Sequence, residues 1–311
     1  MKYSSCTGEP RERQVFDIQR KIVAHMTSES WQKIPHVAYV YEPDVSKFFQ
    51  EFRSMNSDGS RTQKITFNTL MLRTIVEGLK AAPSMNSHLE FNPFFVTGEF
   101  DIYDNIDITM PYMLPSGEMM TINLRNCENR SLDNLTDYIA QIGRKVEKTN
   151  MSEAMYSVSL EKSLLELKDL KIPSLLGRLF GAKVGRNRIR LLKGQEKKDY
   201  YKIPESERIT KEDLRPGTIT VSNIGSLDKN QTGLVSLLEI IPPQCVAIGI
   251  GAVMDAPGVV TDEDSTKRVD VVKKLPITIA FDHRALDFDA IIPFMRRLDE
   301  IFADPSVIRS W

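Results

Sequence analysis

The sequence predicts an α+β fold. Three observations carry this. Apolar residues recur at helical spacing near both ends of the chain, at Val15, Ile18, Ile22, Val23 and Met26 and again from Ile291 to Phe302. Short runs rich in branched and aromatic residues, such as Val37 to Tyr41 and Leu275 to Ala280, stand between the helical segments. A strand-type run passes directly into a helical one across Phe281-Asp282-His283-Arg284-Ala285-Leu286-Asp287.

In chain order, Arg11 to Trp31 reads as a helix and Val37 to Tyr41 as a strand. Asp44 suits the N-cap of a helix running to about Met55, and Asn56 to Arg61 is turn-rich. Thr66 or Asn68 opens the next helix, which Pro83 ends. Phe91 to Thr121 alternates strands and turns. Ser131 caps a helix to about Glu147, with Asp133 and Asp137 placed to favour its dipole. Ser152 to Leu170 is helical in pattern, and Pro173 starts a second amphipathic piece, Ser174 to Phe180. A basic run follows: Lys183, Arg186, Arg188, Arg190, Lys193, Lys197 and Lys198. Pro257 to Lys267 reads as an exposed, acidic, turn-rich hairpin loop.

The chemistry concentrates in the junction after Ala280. A histidine and an aspartate four residues apart sit where a strand meets a helix. An imidazole there can act as a general base, because its ordinary pKa of about 6.5 is close to neutrality. Alone, such a histidine reads as a satisfied structural residue. Its weight comes from the other motifs in fixed order: Ser222 within Gly217-Thr218-Ile219-Thr220-Val221-Ser222-Asn223-Ile224-Gly225, and Pro242-Pro243-Gln244 leading into the apolar run Cys245 to Gly251.

With these motifs, the chain resembles the catalytic domain of the 2-oxo acid dehydrogenase acyltransferases (the E2 core) and, more broadly, the chloramphenicol acetyltransferase-like superfamily. The similarity extends to Ile18 to Met26, to Ile34-Pro35-His36, to Phe67 to Leu79 with the exit Pro83-Ser84-Met85-Asn86-Ser87, to Asn105 to Ile108, to Leu114 to Glu118 and to Leu298 to Pro305. It implies a two-layer sandwich, a mixed central β-sheet flanked by helices, assembled as a trimer. Residues 15–311 would form one acyltransferase domain after a tail over 1–14, with an enlarged helical and basic connection at about 152–204. That connection is read as a solvated rim hairpin, with a CoA-phosphate or partner surface as its alternative.

The resemblance also implies roles. His283 would be the general base and Ser222 the oxyanion donor, facing each other from neighbouring subunits. Asp287 would hold the loop by bridging to an arginine, with Arg284 and Arg20 in that network. Phe288 and Asn223 would touch substrate. Coenzyme A or acyl-CoA is the implied substrate, a lipoyl group a possible acceptor, and a larger assembly of trimers a further expectation. The leading expectation is a free-standing CoA-dependent acyltransferase acting on a thiol, hydroxyl or amine. Its alternatives are an E2 core subunit acting on a separate lipoyl carrier and a non-catalytic trimeric scaffold.

The chain departs from the family in several places. Phe288 follows Asp287 where the family usually has glycine, which often supports a left-handed backbone. Gln19 stands where many members carry arginine, and Met119 to Leu124 lacks the usual proline. No lipoyl or subunit-binding segment is expected ahead of the core. Met110, Met113, Met119 and Met120 read as core packing rather than a channel lining.

Composition excludes other classes. The 311 residues are 41% hydrophobic and 27% charged, enough for one large core. The net charge of -1 offers nucleic acid no electrostatic attraction. Cys6, Cys127 and Cys245 form no C-x-x-C pair, so a cytoplasmic compartment is expected. No apolar run spans a bilayer. His25, His36 and His88 are not spaced as metal ligands, and none is expected to bind a metal.

Overall fold

The computed structural model describes residues 11–12, 14–59, 61, 63–114, 119–158, 191–226, 232–262 and 264–311. Six strands form the central sheet: β1 (His36–Tyr41), β4 (Ile108–Met113), β5 (Met119–Leu124), β6 (Ile219–Asn223), β7 (Val246–Ile250) and β10 (Ile277–Asp282), in the spatial order β1-β10-β7-β6-β4-β5. The sheet is mixed. β1, β10 and β7 run antiparallel to their neighbours, β7, β6 and β4 are parallel, and β5 returns antiparallel on β4. Two ribbons stand apart: β2 (Ser87–Asn92) with β3 (Thr97–Ile102), and β8 (Met254–Thr261) with β9 (Lys267–Lys274). The expected loop over Pro257 to Lys267 is therefore mostly strand, because Val259, Val269 and Val271 pair across the ribbon and the turn shrinks to a few residues around Ser265.

Every residue of β7 and β10 is buried, which explains their unbroken apolar sequence. One face, carrying Val246, Ile248, Ile250, Ile277, Ile279 and Phe281, packs on helices α2 (Ser46–Ser57), α3 (Phe67–Ala81), α4 (Leu132–Glu147) and, last in the chain, the helix Phe288–Ala303. The other face presents Ala247 and Ala280 to Ile34, Ile240, Leu237 and Leu238. Small side chains there let an extended segment lie close on the sheet. Helix α3 and the last helix meet just as closely, because a β-carbon on Gly78 would fall 2.6 Å from both Phe294 and Leu298.

The first helix, α1 (Ile18–Lys33), begins later than its periodicity suggests. The Asp17 carboxylate accepts from the Arg20 backbone N–H at 2.7 Å and fixes the start there. Only Ile18 and Ser30 of α1 are buried. α2 likewise starts at Ser46, whose N–H and hydroxyl both donate to Asp44. Of the expected connection, residues 159–190 lie outside the described residues. On its flanks, 151–158 is helical, followed beyond the gap by α5 (Gly194–Lys202) and α6 (Lys211–Leu214), with the last helix, Phe288–Ala303, becoming α7. No helix among the described residues is long and apolar enough to cross a membrane.

Gln244, 1% exposed, ties this frame to the functional strand. Its Oε1 accepts from the Thr220 hydroxyl at 2.6 Å and its Nε2 donates to the Gly217 carbonyl at 2.7 Å. His36 is also fully engaged. Its Nδ1 donates to the Ile34 carbonyl at 2.8 Å, so its Nε2 accepts from the Ile240 N–H at 3.0 Å. Burial pushes the Cys127 thiol up to about 12 and the Cys245 thiol up to about 11.

His88 packs edge-on against Tyr103 and lies 3.3 Å from the Gly217 carbonyl, and burial lowers its pKa below the ordinary 6.5. The folded state therefore binds this proton less readily than the unfolded chain. Stability tied to neutral His88 is intact above the unfolded value and is lost as pH falls towards the depressed folded one. Thermal unfolding between about pH 7.5 and about pH 5.5 should show a drop in Tm that is smaller in His88→Gln than in the wild type. An equal drop in both would remove His88 as its source.

Candidate active site

β10 ends at Asp282, and the next five residues build the site. The Asp282 carbonyl accepts from the Ala285 and Leu286 N–H groups, each at 3.0 Å, which folds the chain into a tight turn. The His283 N–H donates to the Pro35 carbonyl at 3.1 Å, pinning the turn to the entry of β1. The Asp282 side chain is 1% exposed and is met by Arg284, whose Nη2 donates at 2.6 Å and Nε at 3.0 Å and 3.2 Å. The Arg284 backbone N–H adds a fourth bond at 3.0 Å. A forked guanidinium is the cation best shaped to compensate a carboxylate in such a place.

This corrects the expected network. Arg284 pairs with Asp282, not with Asp287, and sequence reasoning did not single out Asp282. A fully buried carboxylate requires a cation, and Arg284 is within reach of it. Asp287 instead turns to His283. It occupies the N-cap position of α7 without capping it through its side chain, and its Oδ1 lies 3.2 Å from His283 Nδ1. The Leu286 carbonyl is 3.2 Å from the same nitrogen. Both neighbours are acceptors, so Nδ1 carries the hydrogen and Nε2 keeps its lone pair. The His283 side chain is 52% exposed, which leaves Nε2 accessible. Arg20 lies on the exposed face of α1, and among the described residues it makes no ion pair.

Phe288 does not strain the loop. It is the first residue of α7 and is not among the positive-φ residues, Val96, Asn126 and Ser265. The backbone here is helical, so glycine's freedom is not needed. Its half-exposed ring packs edge-on against Tyr39 at 5.0 Å.

Ser222 sits elsewhere, on β6. With Asn68, Asn223, Ser226, Met110 and Met119 it lines a cavity of about 30 Å³. Met110 and Met119 are thus lining residues, whereas Met120 is core. Asn68, Asn223 and Ser226 also border a groove of about 620 Å³ floored by Phe49, Phe52 and Phe67. The Arg53 guanidinium stands 4.7 Å above the Phe49 ring, and Lys273 Nζ is 5.9 Å from it. Sequence reasoning did not single out this aromatic floor, since its residues come from two separate helices and their connection.

Ser222 and His283 do not meet within one protomer. Ser222 pairs with Gly249, and Gly249 with Thr278. His283 is five residues beyond Thr278, about 16 Å further along the strand direction. The two groups therefore lie towards opposite ends of the sheet. No group of three His, Cys, Asp or Glu residues able to hold a metal occurs among the described residues.

Residues 7–157 and 194–309 match the family model of the 2-oxoacid dehydrogenases acyltransferase (catalytic domain). The chain belongs to this acyltransferase catalytic-domain family. Its similarity to curated members is distant but extended. It is 23% identical over 287 residues to the dihydrolipoyllysine-residue acetyltransferase component of the mitochondrial pyruvate dehydrogenase complex of Schizosaccharomyces pombe, covering 92% of this chain and 44% of that protein. It is 20% identical over 299 residues to the mitochondrial succinyltransferase component of the 2-oxoglutarate dehydrogenase complex of Bos taurus, covering 95% of this chain and 50% of that protein. The chain thus spans at most half the length of these relatives. Among solved structures, the dihydrolipoamide acetyltransferase (E2p) of Azotobacter vinelandii superposes with a TM-score of 0.63 at 17% identity, covering 97% of this chain and 95% of that one. The acyltransferase catalytic fold is therefore shared even though five in six residues differ.

Within this family member, the Asp282–Arg284 pair should be the mechanical support of the His283 loop. Arg284→Ala leaves a buried, uncompensated carboxylate and should cost about 3–5 kcal/mol in denaturant unfolding. Asp282→Asn combined with Arg284→Ala should recover part of that loss. Equal stability of wild type and Arg284→Ala would show that the pair supports nothing.

Proposed function

We propose that this chain is the catalytic core of an E2-type acyltransferase, moving an acyl group between coenzyme A and a dihydrolipoyl group borne by a carrier. The observation that carries the reading is His283, whose Nδ1 faces two acceptors, leaving the Nε2 lone pair free on a half-exposed ring. Family membership supports the same class of chemistry. The curated relatives are named for acetyl and succinyl transfer on dihydrolipoyllysine residues, which favours this reading over a free-standing transferase with a hydroxyl or amine acceptor. Phe288 gives a non-catalytic scaffold no support, because its helical backbone does not distort the loop.

In the proposed step, His283 Nε2 takes the proton of the incoming thiol while its sulfur attacks the thioester carbonyl. The tetrahedral intermediate then collapses, and the departing thiolate recovers the proton from the imidazolium. Asp287 and the Leu286 carbonyl hold the imidazole in the required tautomer and orientation. Ser222 donates to the oxyanion. Asn223 borders the cavity and Phe288 the approach to the loop. The aromatic groove suits the apolar arm of a long thioester, and Arg53 suits its anionic end.

The functional unit in this reading is a homotrimer. His283 and Ser222 lie too far apart to act on one carbonyl within a protomer, so each site takes one from each of two copies. Weakly buried α1, with Val23 and Trp31 exposed, and the β2–β3 tip, with Phe94, Phe95 and Val96 exposed, offer surfaces for such contacts.

Transfer from acetyl-CoA and succinyl-CoA to dihydrolipoamide, followed by mass spectrometry, should be detected with the wild type. It should fall by roughly 10²- to 10⁴-fold in His283→Ala. Co-expression of His283→Ala with Ser222→Ala should restore activity, since roughly a quarter of the interfaces in mixed trimers carry both intact groups. Transfer unaffected by His283→Ala would remove the base, and failure of the two variants to complement would place each site within one subunit.

A further inference from the structure

The cavity beside Ser222 holds a second hydrogen-bond donor, and a chain of hydrogen bonds identifies it. The Ser226 backbone N–H donates to Asn223 at 3.1 Å. A backbone N–H only donates, so the receiving atom of Asn223 is its carboxamide oxygen, which fixes the orientation of that side chain. Asn223 Nδ2 then donates to Asn68 at 2.9 Å, which makes the receiving atom of Asn68 its Oδ1. The remaining group of Asn68 is its NH₂. This residue lines both the cavity at Ser222 and the aromatic groove. At about 30 Å³ the cavity accommodates a single water-sized group.

We propose that Asn68 Nδ2 and Ser222 Oγ together bind the thioester carbonyl oxygen, making Asn68 a second catalytic donor of the oxyanion site. The inference rests on the acyl-transfer reading above. When the thiol sulfur bonds to the carbonyl carbon, its proton passes to His283 Nε2 and the carbonyl π electrons move onto the oxygen. When the carbonyl re-forms, the other thiolate leaves and takes the proton. The oxygen carries full charge only between these events, so donors aimed at it act on kcat more than on KM.

The position of Asn68 makes the idea separable from a structural role. It is the second residue of α3, two positions after the Thr66 cap. An aspartate there is favoured by the positive end of the helix and keeps an oxygen for Asn223 Nδ2. A purely structural role therefore predicts that Asn68→Asp folds and works. A donor role predicts the opposite, because a carboxylate would replace the N–H groups with negative charge beside a developing negative charge.

The test is kcat and KM for acetyl transfer from acetyl-CoA to dihydrolipoamide in the wild type, Asn68→Asp, Asn68→Ala and His283→Ala, with thermal melts of each. The expected result is a Tm of Asn68→Asp at or above that of the wild type and a kcat lower on the order of 100-fold or more. Asn68→Ala should fall less, and KM should move less than kcat in both. Near-wild-type kcat in Asn68→Asp would overturn the assignment. Should that variant not fold, near-wild-type kcat in Asn68→Ala overturns it equally. If His283→Ala is inactive while the Asn68 variants are normal, only the Asn68 donor is refuted. If the wild type transfers nothing, the acyl-transfer reading falls with it.

Discussion

The hydrogen-bond register of β7 governs the rest of the structure. This strand pairs antiparallel with β10 on one side and parallel with β6 on the other. All of its residues and all of β10 are buried, so a one-residue slip would turn an entire apolar face away from the helices. The register is thus held by the whole core, and it fixes where β10 ends and where Ser222 falls. The separation of Ser222 from His283 follows from it, and so does the need for two copies in the proposed site.

The two ends of the sheet use different polar chemistry. At the end of β10 a buried carboxylate is neutralised by the arginine two residues on, which converts a flexible strand exit into a stiff turn. The imidazole stands on that turn with its tautomer set by Leu286 and Asp287. The carboxylate that supports the loop and the one that faces the histidine are therefore different residues. At the other end, uncharged groups predominate. Ser222, Asn223, Ser226 and Asn68 line a cavity of the size of one water, and a chain of hydrogen bonds links the last three. The imidazole that the proposal makes a base is half-exposed, whereas the proposed oxyanion donors line a confined space.

The aromatic groove joins this second end to the surface. Phe67 meets Phe49 and Phe52 edge to face at centroid distances of 5.6 Å and 5.4 Å, and Arg53 covers the Phe49 ring. Such a surface can take an apolar arm without new buried polar groups, and Arg53 stands on its lining beside the Phe49 ring.

The sequence by itself determined the local elements and the chemical inventory. The buried strands were legible because two-sided burial demands continuous apolar runs, and α3 was legible from its cap and its terminating proline. His283, Asp287 and Ser222 could be singled out as candidates because each lies in a contiguous motif. Tertiary structure decided the rest. Whether Arg284 meets Asp282 or Asp287 depends on which carboxylate the fold buries. That Phe288 opens a helix, where the freedom of glycine is not needed, follows only from where α7 starts. The β8–β9 ribbon hid behind its turn residues. Asn68 and Asn223, 155 positions apart, become partners only when α3 packs beside β6. Spacing along the chain encodes caps, strands and turns, but the meeting of distant side chains follows from register and helix packing, which the whole core sets at once.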